Sequence, residues 1–270
     1  MKTIHPKEAQ KEFLSAFDQL MYRRSSWEVW SDFVTMFAQS ISNAVDKRQA
    51  DRREAEYLKI ISKYTQQEQS LFPVLCAATV TALDANPEQD FLGELYMSLN
   101  LGNHWKGQFF TPYSLCQAMS EITIGDAEKK AEDHGWTSVC DPACGAGATL
   151  IAAANTIRRH QLNHESDVNY QESVLFVGQD IDHVAAMMCY IQLSLLGCPG
   201  YICVGNTLTN PMTGHPLFPV QREGQEFWFT PMFFSQTWNF RRLFHFLDHA
   251  NPYENAPVGA ATPNEGGGTY

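Results

Sequence analysis

The chain has 270 residues, 44% hydrophobic, 12% aromatic and 18% charged, enough apolar material for at least one buried core and too much for a disordered or fibrous chain. A formal charge of −11 excludes a protein that coats nucleic acid or a membrane surface by electrostatics alone, because neutralising phosphate needs clustered Lys and Arg. At one domain per roughly 100–200 residues, the length holds one α/β domain and a smaller companion.

A helical period runs from about Pro6 to Asn100, where Phe13, Phe17 and Leu20 recur at three- and four-residue spacing. Ser25-Ser26-Trp27-Glu28 reads as a capping box that opens a helix through Trp30, Phe33, Phe37 and Ile41. Four or five helices are expected in this segment. The more continuous apolar stretch Leu71 to Leu83 is expected to be buried against the following domain, and Leu101-Gly102-Asn103 supplies a break. Beyond it the texture changes to short apolar runs alternating with helical stretches: Thr137 to Cys140, Val174 to Val177, Tyr201 to Val204 and Phe227 to Phe229. Strands alternating with helices predict βαβ units and a parallel sheet. The expected organisation is therefore a helical domain over residues 1–103, an α/β domain over 104–250, and a mobile Pro- and Gly-rich tail over 251–270.

Charge is unevenly placed. Residues 1–63 carry 11 Lys/Arg against 9 Asp/Glu, and the remainder 8 against 21, a balance that repels a duplex. The doublets Arg23-Arg24, Lys47-Arg48 and Arg52-Arg53 fit either phosphate contacts or solvated helix faces. Seven cysteines with no Cys-x-x-Cys pair point to reduced thiols in the cytoplasm. No leader and no apolar run near 20 residues is seen, so no membrane association is expected. His160/His164 and His245/His249 each stand one helical turn apart, but without the glutamate of a zinc protease motif; surface histidines and no metal are expected.

The most specific signal is Val139-Cys140-Asp141-Pro142-Ala143-Cys144-Gly145-Ala146-Gly147-Ala148-Thr149-Leu150, between a predicted strand and helix. Its glycines let backbone approach a ligand, and Asp141 at the strand's end can accept from an ammonium or hydroxyl. It lacks the Gly-Lys-Ser/Thr of a phosphate loop and the third glycine of a dinucleotide fingerprint. Cys140 and Cys144 beside it read as small packing residues.

This stretch resembles the first motif of the S-adenosylmethionine-dependent methyltransferases that modify adenine N6 in DNA, most closely the methylation subunits of type I restriction-modification systems. Gly107-Gln108-Phe109-Phe110-Thr111-Pro112 resembles the family's preceding element, Phe176-Val177-Gly178-Gln179-Asp180-Ile181-Asp182 its strand-end acidic element, and Val204-Gly205-Asn206-Thr207-Leu208 the element after that. The four occur in the family's order.

The resemblance implies a Rossmann-like class I methyltransferase domain following an N-terminal helical domain, with S-adenosyl-L-methionine as cofactor. Phe110, Thr111 and Pro112 would meet its methionine end, together with Asp141, Pro142, Ala143, Cys144, Gly145 and Gly147. Asp180 would take the ribose hydroxyls, Ile181 would lie against the adenine, and Asn206 and Thr207 would meet the adenine edge. Asn206 stands where an Asp is usual, yet its amide can accept from an exocyclic amine and donate to a ring nitrogen.

The family's catalytic tetrapeptide, Asn/Asp/Ser-Pro-Pro-aromatic, is absent. In the family its acceptors hold the target amine and its aromatic stacks on the flipped base. Asn210-Pro211-Met212 follows Asn206 too closely to leave room for another strand. Thr230-Pro231-Met232-Phe233, at the end of the run Glu226 to Phe229, keeps one proline and an aromatic, which makes Thr230, Pro231 and Phe233 the candidate catalytic residues. The same residues also read as an N-cap and first turn of a helix through Phe234, Trp238, Arg241-Arg242 and Phe246. The implied activity is methyl transfer to adenine N6 in DNA, with DNA brought by a separate specificity or partner subunit. The alternative is a catalytically impaired homologue that serves as a cofactor-binding regulatory or interaction subunit.

Overall fold

Six helices open the chain: α1 (Pro6–Leu20), α2 (Ser26–Val45), α3 (Ala50–Ile61), the short α4 (Gln66–Gln69), α5 (Phe72–Ala85) and α6 (Phe91–Ser98). The structure, a computed structural model, describes residues 6–101 and 110–250; the motif residues Gly107, Gln108 and Phe109, the expected break at Gly102-Asn103 and the expected tail over 251–270 lie outside the described residues. In α1 the positions Ala9, Phe13, Ala16, Phe17 and Leu20 are all buried, as their spacing predicts, and the helix packs along α5. Trp30 of α2 is the hub of this layer, with ring centroids 5.9 Å from Phe13 and Phe17 and 6.0 Å from Tyr96. Ser25 does cap α2, accepting from the Glu28 N–H.

The second half runs α7 (Tyr113–His134), β1 (Thr137–Asp141), α8 (Ala148–Leu162), α9 (Tyr170–Ser173), β2 (Val174–Asp180), α10 (His183–Leu195) and β3 (Gly200–Val204). Next come a hairpin of β4 (Thr213–His215) and β5 (Phe218–Val220), then β6 (Glu226–Phe229), a 3-10 turn (Pro231–Phe234) and α11 (Gln236–Ala250). The main sheet has the order β1-β2-β3-β6. β1, β2 and β3 are parallel, with Asp141 opposite Gly178 and Asp180 opposite Val204, so three strands end at one edge of the molecule. The fold is α/β and Rossmann-like, with a helical layer preceding it.

β2 and β3 alternate between two cores, as a strand buried on both faces must. Phe176 and Ile202 join the large cluster that also takes in α1, α2, α5 and α10, while Leu175, Val177, Tyr201 and Cys203 join Phe227, Phe233 and Trp238 on the other face. The N-terminal helices thus share one core with the sheet.

β6 departs from expectation. It pairs antiparallel to β3, with Tyr201 opposite Phe229 and Val204 opposite Glu226. Its outer side is plugged by α3: the Arg53 side chain, 1% exposed, donates to the Phe227 carbonyl at 2.9 Å and lies 3.6 Å over the Trp228 ring. Of the basic doublets, Arg24, Arg52 and Arg53 are paired internally, with Glu68, Glu226 and Asp46. No helix among the described residues is long and apolar enough to cross a membrane.

Candidate functional site

The parallel strands deliver Asp141, Asp180 and the Gly205-Asn206-Thr207 turn to one end of the sheet, where open α/β sheets bind ligands. Residues 142–147 turn the chain from β1 into α8. The Cys144 N–H is held by the Gln179 carbonyl at 3.0 Å, and the Gly147 N–H by the Cys144 carbonyl at 2.8 Å. Asp141 braces the loop, accepting from the Ala143 N–H at 2.9 Å and from the Thr149 hydroxyl. Pro142 and Ala143 are exposed at its tip, and Cys144 is buried beneath it.

Gly147 has φ +97°, and a Cβ there would come within 2.7 Å of the Cys189 sulfur. Gly145 has φ +53°, and a Cβ there would come within 3.0 Å of the Phe110 ring. Phe110, more than 30 residues upstream, is therefore brought onto the loop; its ring lies 5.2 Å from that of Tyr96. Pro112 caps the start of α7 directly after it.

The Asp180 carboxylate accepts from the Gly145 N–H and the Asp182 N–H, both at 2.8 Å. Burial pushes its pKa up; these two backbone donors oppose the shift, and the neighbouring charges of Asp182 and Asp141 add to it. A carboxylate offers about four acceptor positions, so two remain for hydroxyl donors. Ile181 beside it is 69% exposed, an apolar surface at the strand end with no packing partner to explain it. Asp182 is the N-cap of α10, accepting from Val184 and Ala185.

Asn206 is placed at the same end, but its amide oxygen accepts from the Leu208 and Thr209 N–H groups at 2.9 and 3.2 Å. Both acceptor positions are taken, which leaves Asn206 a donor and removes the expected acceptor role. Thr207 donates to the buried Gln179 Oε1 at 3.3 Å. Gln179 also accepts from the Met212 N–H and donates to the Asn210 carbonyl, so it ties the turn after β3 to the end of β2.

Sequence reasoning missed a second wall. A cavity of about 540 Å³ is lined by Phe110, Thr111 and Pro112 on one side and by Asp90, Gly93 and Glu94 of the α6 start on the other. Asp90 caps α6 through the Gly93 N–H at 2.9 Å and accepts from Gln192 Nε2 at 2.7 Å; the same Gln192 nitrogen donates to the Ala146 carbonyl in the loop at 2.9 Å. One glutamine thus fixes α6 against the loop. Burial raises the pKa of both Asp90 and Glu94. The sequence signal was the cap Asp90 three residues before Gly93, which marks a helix start and says nothing of what it faces.

The candidate catalytic residues are not at this site. Because β6 runs antiparallel to β3, Thr230 lies beside Gly200, at the opposite end of the sheet, about 13 Å along β3 from Val204 at a strand rise of about 3.3 Å. Thr230 is 0% exposed, and its hydroxyl accepts from the Gly200 N–H at 3.0 Å and donates to the Cys198 carbonyl at 2.8 Å. Phe233 is buried, its ring centroid 4.7 Å from that of Phe229, and Pro231 opens the 3-10 turn. The helix-cap reading holds in position only: Thr230 is the N-cap and Pro231 opens the 3-10 turn, but the Thr230 hydroxyl makes no cap hydrogen bond and the α-helix through Trp238 begins after Ser235. The set-aside Asn210-Pro211 lies with Gln179 and Asn206, and the Asn210 amide donates to the Glu223 carbonyl.

His160 is tied to Glu128 at 2.9 Å and to Glu121 at 3.3 Å, and His245 stacks on His215 at 4.0 Å. Among the described residues no group of three or more His, Cys, Asp or Glu is arranged to hold a metal.

Comparison with known proteins adds one informative match. The family model for N-6 DNA methylase matches residues 88–256, a span that begins just before Asp90 and takes in the loop, Asp180 and Asn206. A crystal structure of a candidate class I S-adenosylmethionine-dependent methyltransferase from Listeria monocytogenes is similar at 16% identity, over 90% of this chain and 80% of that one, with a TM-score of 0.39. No curated protein matches the chain.

Proposed function

The chain belongs to the N-6 DNA methylase family, and from that membership we propose that it binds S-adenosyl-L-methionine at the ends of β1, β2 and β3 and serves methyl transfer to adenine N6 in DNA together with a partner subunit. The observation that carries this reading is the convergence of Phe110, the Gly145–Gly147 turn, Asp141 and Asp180 at one end of a parallel sheet.

The residues present fit the cofactor. Asp180 has two acceptor positions left for the ribose hydroxyls, and a charged acceptor makes the stronger kind of hydrogen bond. Ile181 offers the adenine an apolar surface, and Asn206 and Thr207 stand beside it as polar groups. Phe110, Thr111, Pro112, Asp141, Pro142, Ala143, Cys144, Gly145 and Gly147 form the methionine end, with Glu94 across the cavity as an acidic group suited to an ammonium. When bound, S-adenosylmethionine would supply a sulfonium methyl for the adenine N6 amine, its sulfur leaving as the neutral thioether and the N6 proton going to solvent. This chain's part is positioning, which needs no metal and no covalent intermediate.

The net charge of −11 supports a separate DNA-binding subunit, as does the internal pairing of Arg24, Arg52 and Arg53 among the basic doublets. Seven free cysteines support a reducing, cytoplasmic setting. A second reading, a homologue that binds cofactor without turning it over, is favoured by the burial of Thr230.

The test gives the purified chain labelled S-adenosylmethionine and mixed duplex DNA, alone and with any subunit that co-purifies. Label in N6-methyladenine supports the first reading. Cofactor binding with no label under either condition supports the second, and absence of cofactor binding removes both.

A further inference from the structure

α11 is inverted relative to an ordinary surface helix, which points its apolar stripe at the core and its charges at water. The inward face of α11 carries Trp238, Arg241, Arg242 and His245, at i, i+3, i+4 and i+7, all buried or half-buried. Each of the four is fastened. Trp238 Nε1 donates to the Gln171 carbonyl at 2.8 Å, Arg241 to the Glu172 carbonyl at 2.9 Å and Arg242 to the Phe233 carbonyl at 2.8 Å, and the His245 ring stacks on His215. These contacts fix the rotation of the helix about its own axis.

The opposite face carries Phe240, Leu243, Phe244 and Leu247, again at i, i+3, i+4 and i+7, with Phe246 on its flank. All are about half exposed or more, Phe244 at 61% and Phe246 at 63%, and the Phe240 and Phe244 rings are neighbours at 6.5 Å. At about 150–250 Å² for a whole aromatic side chain, the exposed parts of these five sum to roughly 500 Å². Monomeric proteins rarely show a contiguous apolar patch above a few hundred Å² unless something docks on it.

The chemistry of the stripe selects its occupant. It holds no charged side chain, so it offers nothing to a partner recognised by charge, and Arg241 and Arg242 are turned away from it. A membrane surface would need such cations beside the apolar face, and a chain of charge −11 is repelled by anionic lipid. Residues 251–270 contain no Leu, Ile, Met, Phe or Trp with which to fill the stripe. A second α11 does fill it, because apolar ridges at three- and four-residue spacing seat in the grooves of a two-fold-related copy of themselves. Two copies would bury roughly 1,000 Å², about what a specific but reversible interface needs. We propose that the outward face of α11 is a homotypic docking surface, on which two copies of this chain pair about a two-fold axis as a reversible dimer. α11 is anchored at Trp136, Gln171 and Glu172, just before β1 and β2 begin, so the pairing does not use the strand ends that carry Asp141 and Asp180. It stands apart from the functional reading above.

The test is sedimentation equilibrium of the full chain from about 1 to 100 µM, where a monomer–dimer equilibrium in the micromolar range is expected. Association should tighten as sodium chloride rises from about 0.05 to 0.5 M, because salt screens the repulsion of two like-charged chains and leaves apolar contact in place. Phe244→Glu puts a charge into the dry interface from both copies and should weaken the dimer by about a hundredfold or more. Its melting curve, matched to that of the wild type, shows that the variant is folded; Leu247→Lys, on the same stripe, is read in its place where it is not. Ile122→Glu, at an exposed apolar position on α7, should leave the equilibrium unchanged. A wild-type chain that stays monomeric to the highest concentration would overturn the proposal, as would a dimer indifferent to a folded stripe variant or one broken by Ile122→Glu alone. So would a monomer that co-floats with phosphatidylcholine vesicles through the stripe, which makes a lipid surface the occupant.

Discussion

At Asp180 burial and hydrogen bonding act in opposite directions, and burial wins. An acid held above its ordinary value binds more protons folded than unfolded between the two pKa values, so its contribution to stability is present at low pH and is lost as pH rises through that window. Hydroxyl donors favour the ionised form, so cofactor affinity should rise through the same window. Calorimetry between pH 4 and 8 should show the rise in the native chain, and in Asp180→Asn a weak affinity that no longer carries this step. Thr230 is a different case. Its hydroxyl satisfies a buried N–H, so Thr230→Val should cost about 1–3 kcal/mol in denaturant unfolding and leave cofactor affinity unchanged. A drop in affinity with no loss of stability would return Thr230 to the site. The placement of Asp141, Gly145, Gly147 and Asp180 at one end of the sheet was legible because each sits in a short local pattern. Thr230 was misplaced because its position depends on strand direction, which no local pattern carries.

The direction of β6 has an element-scale cause. A parallel return from β3 needs a crossover of a dozen or more residues, usually a helix. Between Val204 and Glu226 the chain holds only turns and the β4–β5 hairpin, so β6 must return antiparallel. That signal was present in the sequence as the absence of a helical period over 205–225. The helices that were read from spacing, α1 and α2 above all, formed as expected because their apolar stripes had a core to face. Missed was the contact between α7 and α8, where His160 meets Glu121 and Glu128 across 39 and 32 residues. Burial opposes the charged imidazole, but the hydrogen bonds and charges of Glu128 and Glu121 outweigh it and raise its pKa above 6.5. The stability it contributes is complete below the unfolded value and is lost as pH rises through the raised folded value. Thermal unfolding should therefore show a fall in melting temperature on raising pH past neutrality that His160→Gln abolishes; an identical pH profile in the variant would contradict the staple.

Across the whole molecule, the strands begin only after α7, and the helices of the first hundred residues share one core with the sheet. α2 packs on α10, and Arg53 of α3 closes the sheet at β6. Removing that buried cation leaves the buried Asp46 carboxylate and the Phe227 carbonyl without their Arg53 partner, so Arg53→Met should cost about 3 kcal/mol or more and lower the stability of helices and sheet together, in a single transition by both near- and far-ultraviolet circular dichroism. Separate transitions would show two independent cores. The composition already excluded a chain that holds DNA by its own charge; the structure adds that, among the described residues, β1 is an edge strand beside the loop that leads into α8. The functional reading rests on the cofactor site being real. Titration of the purified chain with S-adenosylmethionine measures this directly: the account predicts one-to-one binding that weakens roughly tenfold to a hundredfold in Asp180→Ala, and a folded wild-type chain that gives no binding heat across the titration would contradict it.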